Sequence, residues 1–368
     1  MNKISSARDL VTKLRRHRAI VHPRTGRFGY HWMKGTIELP YPPLKMHVEP
    51  TSKCNLRCIM CPQSMDAVGD DVGYMEMDLF RSIIDQARGK VREINLFLRG
   101  ESMLHPEIFE MVRLCAEAGI VSNLSTNATM LTEDYSQRLL DAGLSKMTVS
   151  FDAGIPSKYE EMRKGAKFDR TLRNVLLFLN EKKRRGDGQP YIVMQVIQLF
   201  EKGEIRKVPE VPADFVARFD GLPVNEWDTF WAHGWAGTMG DDGSPYTAMP
   251  HGSEYFPCNW LWKSMAIYWD GTVPACCADF SGDQIIGDLN RQSLLEVWNG
   301  PPMQALRAAQ VNGRLEEYPL CAGCDAIWQD GTKSWDAFSG VRSLVTREPL
   351  PELKPPPSIP VEEANPVG

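Results

Sequence analysis

Short runs of apolar and β-branched residues alternate with longer amphipathic segments along most of this chain. Five runs of strand length stand at residues 44–51, 94–100, 121–127, 146–152 and 191–199. The segments between them, such as 106–119 and 170–186, repeat their apolar residues at the three- and four-residue spacing of a helix. Strands that alternate with helices are typical of a parallel sheet built from βα units.

A sixth run near residues 223–234 brings the number of βα units to six, fewer than the eight of a closed barrel. We therefore predict an α/β fold, a partial (βα)6 TIM-like barrel, over residues 44–248. In such folds the active site lies at the carboxyl ends of the strands. The loops that follow the strands are where the chemistry is expected.

The two ends of the chain depart from this pattern. Residues 1–43 form an N-terminal extension whose first 34 positions contain nine Lys or Arg and one acid, Asp9. We predict a basic helix that begins near Ser5 or Ser6 and lies on the domain, with a transit peptide or a partner-docking arm as alternatives. Residues 339–368 are proline-rich and are expected to form an extended tail without chemistry.

Composition narrows the class of protein. With 43% hydrophobic residues in 368, the chain can bury a sizeable core, and no apolar run approaches the ~20 residues that cross a bilayer. A net charge of −5 gives no general attraction to nucleic acid or to a membrane surface. Because residues 1–30 show no signal-peptide pattern, we expect a cytoplasmic protein. Nine cysteines in such a chain indicate metal or redox chemistry rather than disulfides.

Three cysteines, Cys54, Cys58 and Cys61, lie in the loop after the first predicted strand, separated by three and two residues. Structural zinc sites and closed iron–sulfur cubes take four protein ligands. Three thiolates at the mouth of a barrel leave one iron open to a substrate or a cofactor. The alternative is a zinc site with a fourth ligand elsewhere, and His47 is expected to pack or hydrogen-bond locally.

A second set of cysteines follows the barrel. It comprises Cys258, Cys276 or Cys277, Cys321 and Cys324. Four thiolates close a site, and the spacing alone fits a structural zinc and a four-cysteine iron–sulfur cluster equally well. The ninth cysteine, Cys115, stands at helical spacing from apolar neighbours and is predicted to be a core residue.

The CX3CX2C spacing after the first strand resembles the signature of the radical S-adenosylmethionine (SAM) superfamily. The resemblance implies a [4Fe–4S] cluster on the three cysteines, SAM on its open iron, and a 5′-deoxyadenosyl radical. Similar motifs follow in order at the strand ends: LRGESMLHP (98–106), STN (125–127), SFD (150–152) and EEMRKG (160–165). Arg99 stands where a glycine is common and could add a charge near the SAM carboxylate.

These motifs imply the residues that contact SAM. The methionine amino group would be held by Gly100 and Glu101, the ribose or methionyl part by Ser125 and Asn127, and the carboxylate by Arg163; Ser150 ends the fourth strand.

The second cysteine set, CX12GX4C followed downstream by CX2C, resembles the SPASM or twitch extension of the same superfamily, which we place at residues 249–338. Gly271 would be its turn glycine and residues 286–310 its helical segment. No cysteine follows the CX2C motif, which implies the one-cluster twitch arrangement. Its second [4Fe–4S] cluster would take Cys258, Cys276, Cys321 and Cys324, with Cys277 left over.

The spacing of these ligands resembles that of the aminocyclitol (2-deoxy-scyllo-inosamine) dehydrogenase type from antibiotic biosynthesis. The resemblance implies oxidation of a secondary alcohol on an aminocyclitol or sugar, with the auxiliary cluster as electron acceptor and a flavodoxin or ferredoxin as external donor. An epimerase that uses Cys277 as hydrogen-atom donor, a peptide-modifying enzyme, and a zinc-binding or electron-carrier protein are the alternatives. Trp231, His233 and Trp235 are expected to stack on the substrate or to pack between the domains.

Overall fold

The structure is a computed structural model that describes residues 23–65, 67–69, 72–201, 211–232, 234–236, 246–247 and 254–329. The predicted basic helix near Ser5, the proline-rich tail and His233 lie outside the described residues.

A seven-stranded sheet forms the centre of the molecule, and every neighbouring pair of its strands is parallel. Six strands coincide with the six predicted runs and are adjacent in chain order: β1 Lys45–Val48, β2 Glu93–Asn95, β3 Val121–Thr126, β4 Lys146–Ser150, β5 Tyr191–Gln198 and β6 Glu226–Trp231. The seventh strand, β7 Ser264–Ile267, pairs with the free edge of β1. The predicted parallel α/β arrangement is therefore confirmed.

Helices connect the strands and continue into the C-terminal part. They are α1 Pro23–Lys34, α2 Met77–Ala87, α3 Ile108–Glu117, α4 Glu133–Asp141, α5 Pro156–Met162, α6 Phe168–Arg185, α7 Ala213–Ala217, α8 Trp260–Lys263, α9 Leu294–Trp298, α10 Pro301–Asn312 and α11 Pro319–Ala322. Helix α6 ends at Gly186, which adopts the left-handed conformation (φ 72°) that favours glycine. Across the described ranges, no helix is both long and apolar enough to cross a membrane.

The two faces of the sheet differ in chemistry. Side chains alternate between the two faces along each strand. On one face they are apolar and fully buried in the main core, as at Met46, Ile94, Leu124, Met147 and Met194. On the other face stand polar side chains that share register positions on neighbouring strands, among them His47, Asn95, Asn123 and Thr148. The inner face of the partial barrel is therefore polar.

Strand β7 was not predicted, because its residues were placed in the C-terminal extension. All four of its side chains are buried, so the run lacks the alternation that marks a half-exposed strand. The turn that follows has Gly271 at φ 92° and is closed by a hydrogen bond of 2.9 Å from the Tyr268 amide to the Thr272 carbonyl. Strand β8 (Thr272–Pro274) then pairs with β9 (Ile285–Asp288). The extension thus adds a strand to the barrel sheet.

Candidate functional site

The cysteine triplet lies in the loop that follows β1. Arg57–Cys58 forms a short antiparallel ladder with Arg163–Lys164, in which Cys58 is the partner of Arg163. The amide of Cys61 donates a hydrogen bond of 3.0 Å to the carbonyl of Cys58. This backbone geometry holds Cys58 and Cys61 in one turn of the loop that follows β1.

Burial makes these thiols weak acids. It raises the pKa of Cys54 to about 12 and the pKa of Cys58 to about 11, although the nearby Arg163 charge opposes the rise at Cys58. The charges of Cys58 and Cys61 also raise the pKa of Cys54, so the thiols interact. Because metals bind thiolates, loading a cluster here must release protons.

Arg163 lies beside this loop. Its Nη1 is 3.9 Å from the sulfur of Cys58, and its Nη2 forms an ion pair with Oδ2 of Asp152 at 2.6 Å. Both side chains are buried, and the Nε of Arg163 has no hydrogen-bond partner among the described residues. A buried donor of this kind fits an anionic ligand at the site. The predicted contact of Arg163 with the SAM carboxylate remains a prediction.

The Gly100–Glu101 turn packs directly against the cysteine loop. A Cβ atom at Gly100 would collide with the carbonyl oxygens of Thr51 and Lys53, so only glycine fits. The buried Glu101 carboxylate accepts 2.8 Å hydrogen bonds from the Thr126 hydroxyl and the Asn127 amide. The turn therefore joins the cysteine loop to the end of β3, with its carboxylate bonded to the protein's own donors.

The remaining predicted SAM residues lie at the same edge of the sheet. The side chain of Asn127 donates a hydrogen bond of 2.9 Å to Asn55, the residue after Cys54. Ser150 lies 3.5 Å from Oε1 of Gln195, and Ser125 is in register with Thr148 on the inner face. The structure thus brings the predicted residues together, and their contacts with SAM remain predictions.

A cavity of about 280 Å³ opens at the ends of β4, β5 and β6. Asp152, Gly154, Met162, Phe215 and Trp231 are part of its lining. Its mixture of two carboxylates, Asp152 and Glu161, and one amine, Lys158, with apolar and aromatic walls suits a small organic ligand. The cavity adjoins the cysteine loop through the Asp152–Arg163 pair.

The partner of Arg99 was not predicted from the sequence. Its guanidinium makes a bidentate pair with Glu49, at 2.9 and 2.8 Å, and both side chains are at most 1% exposed. It also donates to the carbonyl of Phe280 at 3.2 Å and lies 3.6 Å above the ring of Tyr268. Its charge is therefore paired with that of Glu49, and the predicted charge of Arg99 near the SAM carboxylate remains a prediction.

Trp235 packs between the two halves of the molecule. Its indole Nε1 donates to the carbonyl of Met60 in the cysteine loop at 3.1 Å, and its ring meets that of Phe280 edge to face at 5.0 Å. Of the two roles considered for this residue, the structure therefore favours packing between the domains.

Four of the C-terminal cysteines line one cavity: Cys258, Cys276, Cys321 and Cys324. Leu261, Leu306 and Ile327 supply apolar walls, and Gln310 supplies an amide. Cys277 is not among the lining residues that the structure describes; its thiol is influenced by the charges of Lys263 and Lys45. The geometry therefore places Cys276 on the cavity wall, whereas the spacing alone did not distinguish Cys276 from Cys277 as a ligand.

The donor set of this cavity fits an iron–sulfur cluster. Backbone amides point at three of the sulfurs, for example the Ala278 amide at 3.4 Å from Cys276, and the Nε2 donor of the fully buried Gln310 has no hydrogen-bond partner in the described chain. Across the described ranges, no three His, Cys, Asp or Glu side chains are close enough to hold a single metal ion. A cluster spreads its ligands over several irons and so accepts wider spacing.

His47 is held inside the partial barrel. Its Nε2 lies 2.9 Å from the Asn95 amide, and its ring contacts Phe97 and Trp260 at centroid distances of 5.5 and 4.8 Å. Burial, aided by the charges of Lys45 and Lys263, lowers the pKa of His47 to about 3. The predicted local packing is observed.

A pH dependence follows from this shift. Between pH 6.5 and about 3 the unfolded chain binds a proton at His47 that the folded chain does not bind. The free energy of unfolding should therefore fall by about 1.4 kcal/mol for each pH unit below about 6.5. Urea unfolding at pH 7.5 and 5.0, for the parent and for His47→Gln, isolates this contribution as the difference between their pH slopes. Equal slopes would contradict the prediction.

Two family models match the chain. The Radical SAM superfamily model matches residues 48–189, which include the cysteine triplet. The SPASM model, an iron–sulfur cluster-binding domain, matches residues 258–325, which include the four cavity-lining cysteines. Together these domains imply SAM and two iron–sulfur clusters as cofactors, as the sequence predicted.

Two curated relatives illustrate how far the similarity extends. The chain is 36% identical over 111 residues to a tungsten-containing aldehyde ferredoxin oxidoreductase cofactor-modifying protein of Pyrococcus furiosus, over 29% of this chain and 30% of that protein. It is 30% identical over 129 residues to an AdoMet-dependent heme synthase of Methanosarcina barkeri, over 34% of this chain and 36% of that protein. The chain thus spans about a third of the length of these relatives.

Solved structures match over a larger part of the chain. BtrN in complex with AdoMet and 2-DOIA aligns with a TM-score of 0.51 over 77% of this chain and 92% of BtrN, at 19% identity. SuiB of Streptococcus suis, bound to precursor peptide SuiA, aligns with a TM-score of 0.59 over 88% of this chain and 77% of SuiB, at 14% identity. Such identities show the fold alone, and the predicted partial barrel with a C-terminal extension is confirmed.

Proposed function

This chain combines a radical SAM domain with a C-terminal SPASM domain, and we propose that it oxidises a secondary alcohol on an aminocyclitol or sugar. The observation that carries the proposal is the cavity lined by Cys258, Cys276, Cys321 and Cys324. Four thiolates saturate a cluster, so a group held there has no iron open to substrate and is suited to accept electrons. An electron acceptor is what an oxidation requires.

The chain's own residues would divide the work between two sites. Cys54, Cys58 and Cys61 would hold the SAM-binding cluster, and Arg163 would neutralise the carboxylate of SAM. When bound, SAM and the two clusters would supply a 5′-deoxyadenosyl radical for one hydrogen atom and an acceptor for the second electron. The hydroxyl proton would pass to solvent. The alcohol then leaves as a ketone.

The polar inner face of the sheet suits a hydroxylated substrate. There the side chains of His47 and Asn95 are hydrogen-bonded to each other. The Lys45–Glu93 ion pair, at 2.7 Å, adds one positive and one negative charge. BtrN, whose structure holds AdoMet and 2-DOIA, shares this fold and supports a small-molecule substrate. We further propose that the barrel spans residues 44–248 and the extension 249–338, that the enzyme works in the cytoplasm, and that flavodoxin or ferredoxin supplies its electrons.

Two alternative functions are each supported by a specific observation. Cys277 is half-buried, its thiol is influenced by the charge of Lys263, and it does not line the cluster cavity, which leaves the thiol available as the hydrogen-atom donor of an epimerase. SuiB, which binds a precursor peptide, shares the fold and supports a peptide substrate. A structural zinc protein or an electron carrier would form no 5′-deoxyadenosine.

The Cys324→Ala variant tests the proposed oxidation. We expect it to keep cleaving SAM but to lose the oxidised product, because only the auxiliary cluster loses a ligand. Iron should fall from about eight to about four per chain. The measurement is mass spectrometry of a panel of aminocyclitols and sugars incubated anaerobically with SAM and a reductant, where oxidation removes two mass units.

Cys277→Ala is the matched control, since it removes a neighbouring thiol that does not line the cluster cavity. The dehydrogenase proposal expects this variant to retain product formation. Loss of product in Cys277→Ala, together with solvent deuterium in the parent's product, would favour the epimerase. Products found only with peptides would favour a peptide-modifying enzyme.

A further inference from the structure

Gln310 lies on α10 and reaches the cavity lined by the four C-terminal cysteines. The residue is fully buried, and its side chain is the amide group of the cavity wall. An amide carries two N–H donors and one acceptor oxygen, so its orientation decides what it offers to the cavity.

The surrounding protein fixes that orientation. The backbone amide of Cys258, which can only donate, lies 3.0 Å from Oε1 of Gln310. The hydroxyl of Tyr255 lies 3.1 Å from the same oxygen and 2.7 Å from the Gln310 carbonyl. The oxygen must therefore face Cys258 and Tyr255, and the Nε2 donors must face away from them.

Within the described chain, Nε2 of Gln310 has no hydrogen-bond partner. An unsatisfied buried donor destabilises the fold, so a folded protein rarely retains one without a use. The neighbouring acceptor is the sulfur of Cys321, which lines the same cavity as Gln310. A thiolate at this position is a stronger acceptor than the thiol.

Cys321 differs in this respect from the other cavity cysteines. Cys258, Cys276 and Cys324 receive backbone amides from residues two or three positions ahead. The donor that shares the cavity with Cys321 is a side chain on another helix, Gln310. It is therefore a donor that substitution can remove while the cysteine loops keep their backbone.

We propose that Gln310 donates an N–H···S hydrogen bond to the Cys321 thiolate and thereby raises the reduction potential of the auxiliary cluster. A donor stabilises the more negative, reduced form more than the oxidised form, so reduction becomes easier. The consequence for catalysis, faster acceptance of the substrate's second electron, rests on the proposed function. Gln310 acts through Cys321 and is a positioning residue.

Redox titration of the anaerobically reconstituted full chain, followed by electron paramagnetic resonance, tests this proposal. In Gln310→Glu the acceptor oxygen and the side-chain shape remain while the N–H donors are lost; Gln310→Met removes all polar atoms. We expect both variants to lower the equilibrium constant for reduction of the auxiliary cluster by a factor of about ten or more. For one electron, a tenfold change corresponds to a reduction potential that is 59 mV lower. The SAM-binding cluster should keep its potential.

Gln304→Glu is the matched control. Gln304 lies on the same helix, donates to the Asn299 carbonyl at 2.6 Å and is outside the cavity lining, so its replacement should leave both potentials unchanged. An unchanged auxiliary potential in both Gln310 variants at full iron content would overturn the proposal. So would loss of auxiliary iron in both variants, because Gln310 would then only support the fold. The potentials are measured without substrate, so this test does not depend on whether an oxidised product is found.

Discussion

The Cys58→Ala variant is expected to form no 5′-deoxyadenosine from SAM above the rate without enzyme. Cys58 is the central thiol of the triplet and lies 3.9 Å from the Arg163 guanidinium. Two remaining thiolates cannot hold a cluster that already has one iron without a protein ligand, so iron should fall to about four per chain. Chromatography of the products, after anaerobic incubation with SAM and a chemical reductant, measures this loss.

Cys115→Ala is the matched control for this prediction. Cys115 is fully buried in α3, belongs to the main hydrophobic core and is a member of neither cysteine set. Its replacement should leave SAM cleavage intact and reduce the free energy of unfolding by no more than about 1.5 kcal/mol. Continued 5′-deoxyadenosine formation by Cys58→Ala would remove the triplet from the cofactor site.

Replacing Arg99 by methionine is expected to reduce the free energy of unfolding by about 3–5 kcal/mol. The substitution leaves the carboxylate of Glu49, which is 0% exposed, without its cation in the interior. It also removes the hydrogen bond to Phe280 and the contact with Tyr268, which connect the barrel to the extension. Urea unfolding of the parent and the variant measures the difference.

Arg113→Met gives the comparison at the surface. Arg113 pairs with Glu110 and Glu117, but its side chain is 51% exposed, so solvent screens the pairs and the loss should be far smaller than that of Arg99→Met. In the double variant Glu49→Leu/Arg99→Met no unpaired charge is buried, and part of the lost stability should return. Equal effects of Arg99→Met and Arg113→Met would show that the buried pair does not hold the two domains together.

Local patterns determined most of the barrel. The apolar runs at 121–127 and 191–199 became Val121–Thr126 and Tyr191–Gln198, because strand periodicity depends on neighbours in sequence. The helix over Phe168–Arg185 was likewise readable from its repeat and from Gly186. Strand β7 was missed because a run of four buried residues carries no such signal.

The sequence by itself determined the proximity of Cys54, Cys58 and Cys61, because residues that share one loop are kept close by their short separation along the chain. Tertiary structure alone decided the contacts between distant segments: Arg99 meets Glu49 across 50 positions, and Gln310 meets Cys258 across 52. It also placed Cys276, rather than its neighbour Cys277, on the cavity wall. Such pairings depend on how strands and helices pack in space, and no periodicity along the chain records that packing.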